Sequence, residues 1–101
     1  MEYLEELKRE IFNWAAESGQ ELVAIEISRM WFRLGGNTGS LKLDQIEDAD
    51  GNADWRAINN NRQQIFRWLR GETKAARAKT LALVKAMEAA LPAERYRSEE
   101  H

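Results

Sequence analysis

A chain of 101 residues has room for one compact domain with a single modest core, and 44% hydrophobic residues are enough to fill it. The absence of cysteine excludes a disulfide framework and a thiolate metal site, and no apolar run approaches the ~20 residues needed to span a bilayer. The net charge of −2 argues against a nucleic-acid partner as a total, but residues 1–54 hold five bases against twelve acids and residues 55–101 ten against five.

Leu4, Leu7, Ile11, Trp14 and Ala15 recur at helical steps and predict a first amphipathic helix, ended at Ser18-Gly19. Its acidic start, Met1 to Glu6, lacks the basic-then-apolar layout of a secretion signal, so a cytoplasmic protein is expected. Leu22, Ile27, Met30, Trp31 and Leu34 predict a second helix, stopped by Gly35-Gly36. A polar connection follows over 37–54, where Leu41, Leu43 and Ile46 are the apolar anchors, expected as one short turn on the core. Asp48, Asp50, Asn52 and Asp54 alternate there as in a calcium loop. However, the sixth position from Asp48 is Ala53 rather than Gly, and the twelfth is Asn59 rather than Glu, so an ordinary polar loop is expected.

Asp54 is placed to cap a third helix over about 54–70, with Ile58, Ile65, Trp68 and Leu69 on one face. On the other side Arg56, Asn60, Gln63, Arg67 and Arg70 form a polar stripe, and Gly71 is expected to end the helix with a positive φ. A fourth helix is predicted from about Lys74 to Leu91, with Leu81, Val84, Met87 or Glu88, and Leu91 turned inward and Pro92 as the stop. Residues 93–101 read as a flexible charged tail beyond a domain of 1–92. Of the four tryptophans, Trp14, Trp31 and Trp68 fit a core, whereas Trp55 stands at the junction of loop and helix.

The third helix carries the chemistry. Asn59, Asn60, Asn61, Arg62, Gln63 and Gln64 are poor core residues, but arginine can pair with the guanine edge, and asparagine or glutamine with adenine, in the major groove. An α-helix fits that groove, with its N-terminal residues nearest the bases. Arg67, Arg70 and Lys74 suit phosphate contacts, as do Arg56, Asn59, Asn60, Thr73 and Arg77 around them. Within 55–85, Glu72 is the one acid among eight bases. Taken alone, the residues fit a solvated helix face with capping asparagines equally well. Enzymatic readings lack support: the one histidine is the terminal His101, and no phosphate-cradling glycine motif follows a strand. No cofactor, metal or small-molecule substrate is expected.

The stretch from Asn60 to Met87 resembles the recognition helix and following helix of the phage-repressor superfamily, and Gln64-Ile65-Phe66-Arg67-Trp68 looks like part of the CII-type phage activators. The wider pattern resembles the YdaT family of lambdoid prophages through Val23-Ala24, Ile27, Phe32-Arg33-Leu34-Gly35, Asn61, Gln63, Ile65 to Trp68 and Ala90-Leu91-Pro92. The resemblance implies an all-α, four- to five-helix, repressor-like or POU-specific-like helix-turn-helix domain with a long loop between the second and recognition helices. It places Arg62, Gln63 and Arg67 on base-reading positions, with Asn61 and Gln64 beside them. It further implies a prophage transcriptional regulator of double-stranded DNA, toxic to the host in excess. A homo-oligomer, dimer or tetramer, is expected on repeated half-sites. Relatives carry a longer C-terminal segment, so assembly here would use the first or fourth helix or a region outside this sequence. The alternative is a small module that grips a host or phage protein.

Overall fold

The computed structural model describes residues 2–37, 39, 41–93 and 95, and over these the chain is an all-helical domain. Five helices follow in order among the described residues: α1 (Glu2–Ser18), α2 (Gln20–Arg33), α3 (Trp55–Arg70), α4 (Lys74–Ala82) and α5 (Val84–Ala90). The expected tail at 93–101 lies outside the described residues apart from Ala93 and Arg95.

The first helix buries the stripe its spacing predicts, Leu4, Leu7, Ile11, Trp14 and Ala15. One residue separates it from α2. Gly19 has φ 94° and ψ 144°, a conformation open in practice to glycine alone, and it turns the chain back at once. The second helix is the hub, packing against α1, α3 and α5. Its inner face is Val23, Ala24, Ile27 and Ser28, while Leu22 and Leu34, expected inside, are 43% and 56% exposed. These two leucines flank the stripe, and the neighbouring helices approach from the other side.

The connection from α2 to α3 runs extended through its apolar anchors Leu41 and Leu43, in place of the expected short turn. Leu41 and Leu43 are buried while Lys42 and Asp44 between and after them face solvent, the alternation of an extended chain. Without a strand beside it, this segment takes its backbone partners from two asparagine side chains. The Asn37 amide accepts from Leu43 N at 3.0 Å and donates to Leu43 O at 3.0 Å. Asn61 of α3 accepts from Asp44 N at 2.9 Å and donates to Asp44 O at 2.9 Å. Beyond Ile46 the chain makes a tight excursion closed by a bridge between Glu47 and Ala53. Inside it Asp48 Oδ1 accepts from the amides of Asp50 and Asn52. That carboxylate is occupied in shaping its own turn, and no grouping of His, Cys, Asp or Glu suited to a metal occurs among the described residues.

Asp54 caps α3 as expected, its side chain accepting from Ala57 N at 3.1 Å. Gly71 ends the helix for a different reason from the one its type suggests. Its φ is −74°, which any residue tolerates. A Cβ there would lie 2.7 Å from Ala76 Cβ and 3.2 Å from Arg67 O, so the glycine exists for the close approach of α4. Gly71→Ala is therefore expected to destabilise the fold by about 1–3 kcal/mol through overpacking. Urea denaturation checks this, and adding Ala76→Gly should recover part of the loss; equal stability of Gly71→Ala and the parent would refute it.

Thr73 caps α4, and the Thr80 hydroxyl fastens α4 to α3 by sharing its proton between Trp68 O at 3.1 Å and Ala76 O at 3.0 Å. The single fourth helix expected from the sequence is broken at Leu83, giving α4 and α5. Met87 and Leu91 face inward as expected and Val84 packs against the core, but Thr80, Leu83 and Ala86 are buried with them and Leu81 is 44% exposed. Both sets of positions satisfy helical spacing in an alanine- and leucine-rich stretch, and contact with α2 decides between them.

Candidate nucleic-acid interface

The third helix stands with one face in the core and the other bare. Ala57, Ile58, Asn61, Ile65, Phe66 and Leu69 are buried, and Phe66 packs against Phe12 of α1 with ring centroids 5.9 Å apart. The opposite face exposes Arg56, Asn59, Asn60, Gln63, Arg67 and Arg70. No acid occurs anywhere in α3, which holds four arginines. Five carboxylates, Asp44, Glu47, Asp48, Asp50 and Asp54, lie instead in the connection that leads to its N-terminal end.

The residues expected to read bases separate into three situations. Gln63 and Arg67 are on the exposed stripe and form no side-chain hydrogen bond or ion pair among the described residues. Arg62 and Gln64 are half-buried on the two flanks. The Arg62 guanidinium donates to Asn59 Oδ1 at 2.5 Å and to Gln20 Oε1 at 3.3 Å, which holds it between α3 and the first residue of α2. Asn61, expected beside the readers, is 0% exposed and must be reassigned. Besides its two bonds to Asp44 it donates to Ser28 Oγ at 3.0 Å, so both of its polar atoms are spent inside. It positions α3 and the connection, and cannot reach a base edge from there.

Of the residues expected at phosphates, Arg56, Asn59, Asn60 and Arg70 lie on the exposed face of α3, and Thr73, Lys74 and Arg77 lie beyond it in α4 and its cap. Asn60 turns toward Asp44, at 3.4 Å. Arg70 and Arg77 line an open cleft of about 500 Å³ with Lys8 and Arg9 of α1, beside two acids, Glu72 and Glu5, the latter paired with Lys8 at 3.6 Å. A second cleft of about 330 Å³ holds Arg67, Trp68, Thr73 and Lys79, with the Lys79 ammonium 5.6 Å from the Trp68 ring centroid. The Thr73 hydroxyl oxygen accepts from Ala76 N at 3.1 Å and retains its proton for donation. Lys74 and Arg56 are exposed.

Lys8, Arg9 and Gln20 are additions that sequence reasoning misses. The first two belong to the acidic half of the chain, and only tertiary packing brings them beside Arg70 and Arg77. Chemically, the stripe offers planar amide and guanidinium groups able to make paired hydrogen bonds, flanked by cations able to meet phosphate oxygens.

A family model described as bacterial toxin ydaT matches residues 6–101. The chain is also similar to the transcriptional regulator YdaT of Escherichia coli (strain K12), 41% identical over 91 residues, which cover 89% of this chain and 56% of that protein. It thus spans little more than half the length of that curated relative.

Proposed function

This chain belongs to the bacterial toxin ydaT family, and from that premise we propose that it is a duplex-DNA-binding prophage transcriptional regulator whose α3 reads the major groove. The observation that carries the reading is the outer face of α3: amides and guanidiniums, no acid, and Arg56, Asn59, Asn60, Gln63, Arg67 and Arg70 exposed among the described residues. Gln63 and Arg67 read base edges, Arg62 does so from its hold on Gln20 and Asn59, and Gln64 serves at the flank. Arg56, Arg70, Lys74, Arg77 and Thr73 meet phosphates, joined by Lys8 and Arg9 across the first cleft. The curated relative's description as a transcriptional regulator supports the same reading, and the family's description as a toxin fits harm from misplaced DNA binding in excess. The module acts as a dimer or tetramer on repeated half-sites, since one small module makes few contacts.

A salt series of binding to duplex DNA from a matching prophage control region, beside random duplex, tests the reading. Tighter binding to the control region, with affinity falling steeply as salt rises, is the expected result. No binding to either duplex at low salt overturns it. The second reading, a module that grips another protein, is favoured by one feature: an open cleft of about 490 Å³ lined by Trp31, Leu34, Leu41, Leu81 and Lys85.

A further inference from the structure

Three of the four tryptophans have a structural task. Trp14 is 5% exposed in the core, Trp31 donates its indole N–H to Asn37 Oδ1 at 2.8 Å, and Trp68 lies under Lys79. Trp55 has none. It is 59% exposed, and its indole N–H meets no partner among the described residues. A single exposed apolar side chain is common and assigns no role by itself, so any reason for Trp55 must come from where it stands.

Its place supplies one. Trp55 opens α3, and Asn59 and Arg62 follow it at helical steps of four and three, on the edge of the polar stripe. On a helix entering the major groove that end goes deepest. The adjacent Asp54 carboxylate is fixed by its bond to Ala57 N, and the acidic excursion 47–53 lies just before it. Trp55 brings no charge for a phosphate to pair with, and its large apolar face suits the apolar groups presented on base edges. In the major groove the apolar group on a base edge is the thymine 5-methyl. Resting on the DNA-binding reading above, we propose that Trp55 is a specificity-determining residue that packs on thymine methyl groups at the edge of the site read by α3.

The test starts from duplexes selected from a random-core library with the full chain. In those duplexes each thymine is replaced in turn by deoxyuridine, which removes the methyl and nothing else. At one or two positions the parent should lose about three- to fivefold in affinity per methyl. Trp55→Ala should bind the two duplexes equally, and Trp55→Phe should recover part of the discrimination. Urea midpoints of both variants should match the parent, because the side chain is exposed. Equal methyl discrimination by Trp55→Ala, or no methyl sensitivity in a parent that binds selected duplex tightly, overturns the role of Trp55 alone. A uniform loss by Trp55→Ala on selected and random duplex overturns it too, since that is a backbone contact. A parent that binds no duplex at low salt brings down the DNA-binding reading itself.

Discussion

Replacing Asn61 with alanine is expected to remove about 3 kcal/mol of stability and to lower the melting temperature by roughly 10–20 °C. The side chain makes three hydrogen bonds, to Ser28 Oγ, Asp44 N and Asp44 O, at 2.9–3.0 Å. Each contributes about 1 kcal/mol net, and their loss leaves the buried Ser28 hydroxyl and the part-buried Asp44 N–H and C=O without these partners. A domain of this size is stabilised by only about 5–15 kcal/mol in all, so one side chain accounts for a large share. Asn61→Asp keeps the shape and the acceptor but loses both donations, and should be at least as damaging. Asn60→Ala, one residue away and exposed, should stay within about 0.5 kcal/mol of the parent. Urea and thermal denaturation of the three variants measure this. A stable Asn61→Ala protein that has lost DNA affinity would reverse the assignment and return Asn61 to the interface.

The converse pattern is expected on the exposed face. Gln63→Ala combined with Arg67→Ala should leave the urea midpoint unchanged, because both side chains are exposed and unbonded among the described residues. The same pair should weaken binding to a selected duplex by about 2–6 kcal/mol, or roughly 30-fold to more than 10⁴-fold, at about 1–3 kcal/mol per paired base contact. Binding to random duplex should fall far less, with the salt slope reduced by no more than about one phosphate contact. Fluorescence anisotropy on selected and random duplexes at several salt concentrations reads both effects. Equal loss on the two duplexes would make Arg67 a phosphate ligand and leave base reading to Arg62.

How much of this is legible in the sequence depends on whether a stretch contains apolar markers. The first helix does, and all five of its predicted core residues are buried. The cap at Asp54 and the glycine corner at Gly19 rest on local chemistry that survives folding unchanged. The polar stripe of α3 is legible as a face, since its apolar neighbours set the phase.

Asn61 escapes because six polar residues in succession hide which of them turns inward. The signal exists: Ile58, Asn61 and Ile65 are spaced by three and four, so Asn61 occupies a core position on a helix whose core is otherwise apolar. An amide in such a place has to be bonded, and its partners, Ser28 and the Asp44 backbone, come from segments no local pattern connects to it. The break at Leu83 and the inward turn of Thr80 are equally tertiary, set by what α2 and α3 present to that stretch.

The two asparagines that hold Leu43 and Asp44 also divide the connection into unequal parts. Upstream of the Glu47–Ala53 bridge the chain is tied to α2 through Trp31 and Asn37 and to α3 through Asn61; inside it, at 48–52, the hydrogen bonds among the described residues stay within the excursion. The spacing of the two helices is thus independent of how many residues the tip contains. Length can change there, in nature or at the bench, while the register of α3 stays as it is, and an inserted affinity tag or dye at Asp50-Gly51 would report on the α3 N-terminus without disturbing it.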